Sequence, residues 1–277
     1  MILRKTVRRA SLYLGFLVFL LIALFPFYWM VATSFKSPNE ILSTPPTYIP
    51  GDLSLRTFSE LFLRRNFGAY MINSIVVTCF STVFAVTISA FAAYGFARFR
   101  FPGRGLLMGT VVISAMLPFI TVLGPTYLIV EGLGLLDTKL GLILVFIGGG
   151  IPLAIWFLYV FYQTIPVELE EAAMVDGANR IQAFLRVTLP LSAPGLAAST
   201  LLLLIWFWNE FIFALVLTLS PQSKTLTVGL TEIPGLWDIP YDYMSAGGTV
   251  AALPVILLVI FFQRYIIKGI VAGAVKE

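Results

Sequence analysis

The sequence predicts an all-α integral membrane protein with six transmembrane helices and both termini on the cytoplasmic side. Three observations carry the prediction. Of 277 residues, 59% are hydrophobic and 12% charged, whereas soluble domains are about half apolar and about a quarter charged. Six stretches lack any Asp, Glu, Lys or Arg and each exceeds the roughly 20 residues that a helix needs to cross about 30 Å of hydrocarbon. The Lys and Arg residues between those stretches are distributed unevenly, which gives the chain an orientation.

The uncharged stretches run Ala10 to Phe35, Asn66 to Ala97, Gly105 to Val130, Leu140 to Val167, Val187 to Asn209 and Tyr243 to Gln263. Unsatisfied backbone groups are costly in lipid, so each is expected to be helical, and the absence of alternating ten-residue segments excludes a barrel. The first span begins with basic residues as a signal peptide does. It is too long for one and lacks a clear small-x-small cleavage site, so it is read as retained. Pro118 and Pro125 interrupt span 3, Pro152 lies in span 4 and Pro254 in span 6. Each removes a backbone hydrogen bond and favours a kink, with or without a role in gating.

Placing the N-terminus inside puts Arg4, Lys5, Arg8, Arg9, Arg98, Arg100, Arg104, Arg180, Arg186, Arg264, Lys268 and Lys276 in the cytoplasm, 12 of the 18 basic residues. Lys36, Arg56, Arg64, Arg65, Lys139 and Lys224 then face outside. This bias fixes an N-in, C-in topology. The outer segments are a loop of roughly 35 residues after span 1, a turn near Glu131 to Lys139, and a polar stretch from Ser220 to Asp242. There is no internal repeat or linker, so residues 1–277 read as one membrane domain.

Composition also excludes function classes. The net charge of +4 comes from short clusters between apolar runs, without the extended basic face of a nucleic-acid-binding protein. Cys79 is the one cysteine, a small packed residue that cannot form an intrachain disulfide. With no histidine, Ser-His and Cys-His nucleophile pairs and the His-Glu-x-x-His zinc site are absent. No Gly-x-x-x-x-Gly-Lys-Ser/Thr loop is present, so the chain cannot cradle nucleotide phosphates by that route. No metal site, catalytic group or cofactor is expected on this chain.

The most informative segment is the cytoplasmic loop between spans 4 and 5, residues 164–190, reading TIPVELEEAAMVDGANRIQAFLRVTLP. Pro166 suits a first helical turn, and Glu168, Glu170 and Glu171 sit near the positive end of that helix's dipole. Gly177 supplies a stop. Asn179 with Gln182 three residues on forms a capping-box pattern that starts a second short helix. A helix, a glycine bend and a helix closed by Pro190 are expected. The four acidic residues Glu168, Glu170, Glu171 and Asp176 outnumber Arg180 and Arg186 on a side where loops usually run positive. An acidic knob of this kind suits a basic groove on another protein. An amphipathic hairpin lying on the membrane remains the alternative reading of these residues.

Glu171-Ala172-Ala173, three residues, Gly177, nine residues, Val187, one residue, Leu189-Pro190 resembles the signature loop of ABC-importer permeases. Val187 stands where that family usually has Ile. Asp176-Gly177-Ala178, Trp208-Asn209-Glu210-Phe211, Lys224-Thr225-Leu226 to Gly229-Leu230 and the ending Gly269 to Val275 resemble its carbohydrate, maltose-type branch. The resemblance implies a type I ABC importer transmembrane fold in a bacterial or archaeal plasma membrane. It implies that Glu171, Ala172, Ala173, Asp176, Gly177, Leu189 and Pro190 couple the chain to a cytoplasmic ATPase dimer, which holds the ATP and Mg. A second homologous permease and an extracytoplasmic solute-binding protein are the further implied partners.

Glu210, about 24 residues after Arg186 and directly after the uncharged run of span 5, is read as an ionisable residue at the depth of the outer half of that span, and with Asn209 it is a candidate for the substrate pathway. Trp206 and Trp208 are candidates for stacking on sugar rings, or for the outer aromatic belt. A Glu satisfied by protein partners is the competing reading. The outer stretch contains Trp237 flanked by Pro234, Gly235 and Pro240, either a contact for the binding protein or a cover on the helix ends. A self-sufficient carrier or channel is the rival function, and it would call for paired intramembrane charges or inverted repeats.

Overall fold

The computed structural model describes residues 2–233 and 240–274. Among the described residues every regular element is helical. Four helices are long and apolar enough to cross a membrane: Ser11–Ser34 within α1 (Ile2–Ser34), α4 (Phe67–Arg98), α7 (Lys139–Tyr162), and Tyr241–Gln263 within α14 (Tyr241–Ala274). Among the described residues two bent helix pairs are also long and apolar enough when each is taken together, giving up to six crossings if each pair is one span.

The first bent pair joins α5 (Arg104–Met116) through a tight turn at Phe119–Val122 to α6 (Leu123–Gly132), with a bend of 100°. Its cause is local. Leu117 precedes Pro118 and takes an extended conformation, φ −66° and ψ 133°, because the proline ring crowds a helical residue before it. Pro125 falls in the first turn of α6, where its missing N–H would have had no partner anyway. One proline of span 3 therefore breaks the helix and the other is accommodated. Pro152 and Pro254 lie inside continuous helices.

The second pair bends by 75° between Arg180–Leu191 and Ala193–Asn209. Here the expected closure at Pro190 is displaced. Pro190 sits inside the short α10 (Leu189–Leu191), and the chain turns at Ser192, ahead of Pro194 in the first turn of α11 (Ala193–Asn209). The preceding turn, Phe184–Thr188, is a widened π segment. Its shifted hydrogen-bond ladder accommodates a residue with no N–H to contribute.

The described residues divide into two compact units, Met1–Gly68 with Leu230–Leu253 and Ala69–Gly229 with Pro254–Glu277. In the first, the apolar residues of α1 from Leu12 to Phe27 are exposed around the helix, as a lipid-facing span requires. The loop after it holds α2 (Pro38–Ile41), capped by Ser37, and α3 (Arg56–Arg64). Lys36 is buried over the Trp29 ring and donates to the Thr47 carbonyl. The Tyr243 hydroxyl and the Arg56 guanidinium both donate to Glu60 and hold its carboxyl below its ordinary value.

In the second unit α4 and α7 lie side by side. Ser81 donates to the Ile143 carbonyl and Ser89 to that of Ile151, at 3.4 and 3.3 Å. Equal steps in the same sense on both helices mean that they run parallel. Phe146 of α7 stacks on Phe207 of α11 at 5.2 Å, and Gly150 admits this ring, since a Cβ there would lie 2.6 Å from the Phe207 Cζ.

At one end of this unit Asp137 adopts the left-handed region, φ 56°, which suits an Asp. Its carboxylate accepts from the N–H groups of Leu219 and Ser220, at 2.7 and 2.8 Å, and from the Ser223 hydroxyl. Partial burial acts to raise this carboxyl, but the donors from Ser220, Ser223 and Leu219 override it and hold it well below the carboxylate range. A depressed folded-state value contributes stability that is complete above the unfolded-state pKa of about 3.9 and is lost as pH falls towards the folded-state value. Asp137→Asn tolerates the same backbone but loses the charge. It should cost about 1 kcal/mol at neutral pH, discounted for partial exposure. Thermal melts of the purified protein should show a lower Tm for the variant at pH 7 and a gap that begins to narrow as pH falls below about 4.

Candidate functional site

The loop after α7 folds as a bent unit. α8 (Glu168–Val175) starts with three glutamates in its first turn, where unpaired N–H groups and the helix dipole favour negative charge. It ends in a Schellman arrangement. Gly177 takes φ +93°, its N–H reaches the Met174 carbonyl at 3.1 Å, and the Ala178 N–H reaches that of Ala173 at 3.0 Å. Glycine adopts that conformation without strain, and among residues with a side chain asparagine tolerates it best. Asn179 and Gln182 form the expected reciprocal capping box, each bond 2.9 Å, and open α9 (Arg180–Ala183).

Within this unit Glu171, Ala172, Val175, Asp176 and Gly177 are exposed, and Ala173 is half-buried. Leu189 is half-buried and packs with the aromatic cluster around Tyr94, Tyr162 and Phe184, while Pro190 is exposed. The first five residues of the expected coupling set are thus gathered on the bend, and Leu189 and Pro190 lie on the far side of the π segment.

A glutamate outside that set takes the inward position. Glu170 is 4% exposed. Its Oε1 accepts from the Arg98 Nε at 2.7 Å and from the Thr188 hydroxyl at 2.7 Å, and its Oε2 from the Tyr94 hydroxyl at 2.8 Å. Arg98 also donates to the Ile165 carbonyl at 2.9 Å. Composition marked Glu170 only as one acidic residue of four. Successive residues on a helix point about 100° apart, so Glu170 and Glu171 necessarily face different ways, but which faces inward depends on Arg98, far away in the chain.

A cavity of ≈ 480 Å³ lies between the bend of span 3 and α7, against α11. Phe119 and Trp206 meet edge to face in its wall, centroids 5.3 Å apart, and Ser114 and Thr126 supply hydroxyl-bearing side chains. Gly148 and Gly149 line the α7 side, and none of the residues lining the cavity is charged. Trp206 thus lines a chamber whereas Trp208 is buried in protein.

Glu210, just past α11, turns its carboxylate onto the next helix, α12 (Ile212–Leu217). Its oxygens accept from the N–H groups of Phe213 at 2.9 Å and Ala214 at 3.1 Å. The Asn209 side chain donates to the Ile205 carbonyl one turn back, at 2.7 Å. Both side chains are engaged with backbone. α13 (Leu226–Thr231) follows, anchored where the Leu226 N–H donates to the Ser74 hydroxyl at 2.7 Å. Pro234, Gly235 and Trp237 of the outer stretch, and Val275 and Lys276 at the C-terminal end, lie outside the described residues.

Apolar helices long enough to cross a membrane, a half-open uncharged cavity and an exposed acidic helical bend fit a multi-pass membrane transport subunit. Residues 85–272 match the family described as binding-protein-dependent transport system inner membrane component. The chain is 34% identical over 275 residues to the trehalose/maltose transport system permease protein of Thermococcus litoralis, covering 98% of each. It is 38% identical over 256 residues to the trehalose transport system permease protein of Mycobacterium tuberculosis, covering 92% of this chain and 93% of that one. In fold it matches a chain in the crystal structure of a bacterial ABC transporter that imports the acidic polysaccharide alginate. The TM-score is 0.82 at 24% identity, over 95% of this chain and 96% of that one. This protein belongs to the binding-protein-dependent transport system inner membrane component family and is the permease component of an ABC importer.

Proposed function

We propose that this permease couples to a separate ATPase dimer through residues 164–190 and carries a neutral sugar. The observation behind this reading is the presentation of α8, a short acidic helix stopped by a left-handed glycine with Glu171, Ala172 and Asp176 outward. In that pose Glu171 pairs with a basic ATPase residue and Ala172 and Ala173 allow close approach. Asp176 and Gly177 set the bend, and Leu189 and Pro190 carry its movement towards α11. ATP and Mg reside on the ATPase.

The proposed topology has six spans with both termini in the cytoplasm and residues 1–277 as one transmembrane domain. Its support is the positive-inside bias and the parallel run of α4 and α7, since two crossings separated by one other must share a direction. A second homologous permease completes the pathway and an extracytoplasmic binding protein delivers the solute. Relatives from both a bacterium and an archaeon are consistent with either plasma membrane.

A sugar is proposed from the trehalose and maltose relatives and from the chamber, whose volume falls within the roughly 300–1,000 Å³ of ligand sites. Its aromatic wall, hydroxyl groups and lack of lining charge suit a neutral sugar better than an acidic one. Asn209 and Glu210 adjoin it in sequence, and their backbone hydrogen bonds favour a role in shaping the pathway. Reconstitution of the chain with its ATPase, second permease and binding protein in liposomes tests the reading. ATP-dependent uptake of a neutral disaccharide is expected. Uptake by the chain alone, driven by an ion gradient, would instead establish a carrier.

A further inference from the structure

We infer that Glu170 and Arg98 are positioning residues that tie the docking helix α8 to α4, so that movement of α8 is delivered directly to the α4 crossing. The inference rests on α8 being the ATPase-docking helix. Its starting point is that among the described residues of α8 the single buried one is a charged side chain, Glu170. A short helix whose neighbours Leu169 and Glu171 are exposed is held from beneath by this group. The carboxylate is gripped from three sides, by Arg98 and Tyr94 at the end of α4 and by Thr188 in the π segment before α11, at 2.7 to 2.8 Å. The Arg98–Glu170 pair is almost closed to solvent, with side chains 8% and 5% exposed. Arg98 closes the ring by donating to the Ile165 carbonyl, in the segment that leads into α8.

A buried ion pair of this kind is not explained by stability, because well-packed apolar replacements are often as stable or more so. What it supplies is a directional connection with fixed geometry between elements far apart in sequence, with both carboxylate oxygens of Glu170 accepting. Packing through spans 4 and 5 was the route implied by the loop's place in the chain. This link adds a route through α4. The widened π turn lies on the same carboxylate through Thr188, at the place where α9 and α10 pass into the 75° bend before α11. One carboxylate therefore touches the docking helix, one crossing helix and the base of another.

The test uses the whole importer in liposomes and reads solute imported per ATP hydrolysed together with the amount of assembled complex. Glu170→Gln and Arg98→Gln are each expected to lower the transport-to-ATP ratio at least about 5-fold, the scale of ordinary coupling energies. The double variant should be no worse than either single one, because the two residues act as a unit. An unchanged ratio in assembled complex, or single losses that multiply, overturns the inference. Should Glu170→Gln fail to assemble, Tyr94→Phe decides by the same ratio, since it deletes one hydrogen bond without unpairing a charge. Glu171→Lys is the control for the reading beneath. It should release the ATPase from the membrane complex, and retention of the ATPase would reject the docking assignment independently of the Glu170 link.

Discussion

Replacing Gly177 with valine is expected to reduce ATP-driven uptake about 2-fold or more while the protein still folds and inserts. The left-handed conformation costs a side-chain-bearing residue about 1–2 kcal/mol, and a β-branched residue lies at the unfavourable end. Escaping that conformation forfeits the two closing hydrogen bonds of α8, each worth about 1 kcal/mol. A strain near 2 kcal/mol offsets those two hydrogen bonds and leaves about half of the loops correctly bent. It remains small against the roughly 5–15 kcal/mol that holds a protein together. Sterics within the chain do not contribute, because a Cβ on Gly177 meets nothing within 4 Å. The series Gly177→Asn, Gly177→Ala, Gly177→Val should therefore grade uptake from near normal to about half, following tolerance of the left-handed region. Equal loss in all three would mean that crowding against the ATPase, and not backbone strain, makes the position intolerant.

The same bend shows how the acidic character of the loop is divided. Glu168 and Glu171 complement the N-terminus of α8 from outside, while Glu170 is drawn inward to Arg98. Exposed charge can serve recognition, where complementary surfaces steer partners together. Buried charge serves geometry. The proposed role, docking from outside and transmitting movement inward, calls for both, and two adjacent glutamates on one helix provide both faces.

The crossing helices were legible because an uncharged run of 20 or more residues has few alternatives. Helices α4 and α7 begin and end within a few residues of the runs that predicted them. The Asn179–Gln182 box and the Gly177 stop were legible because their chemistry is local. What escaped depends on distant residues or on polar segments that still fold. α13 lies in the outer stretch that reads as polar loop, and α12 lies between that stretch and the end of span 5. α12 is organised by the carboxylate of Glu210 capping it from outside its own span. The 100° break of span 3 arises from Leu117 and Pro118, and proline alone did not say whether the helix would kink or stop. Pro190 was expected to close the helix–glycine–helix loop, but the π segment before it carries the helical path on to Leu191.

Replacing Gly149 with leucine is expected to bring uptake to background. A Cβ at this position would lie 2.6 and 2.8 Å from two ring atoms of Phe119 and 3.4 Å from Trp206, so the first carbon already displaces the aromatic wall. The rest of the side chain then enters the chamber. Overpacking of this kind costs about 1–3 kcal/mol, little enough for the fold to survive. Because α8 and the Gly177 bend are untouched, the ATPase should remain bound to the membrane complex. Loss of uptake with retained ATPase would separate a blocked pathway from a failed docking surface. Trp206→Ala should act more mildly, lowering uptake about 2- to 10-fold through loss of an aromatic face worth roughly 0.5–1.5 kcal/mol, and Trp206→Phe should recover part of it. If the chamber is instead packing space filled by a neighbouring subunit, Gly149→Leu will release the second permease from the complex, and Trp206→Ala will leave the uptake rate per assembled complex unchanged.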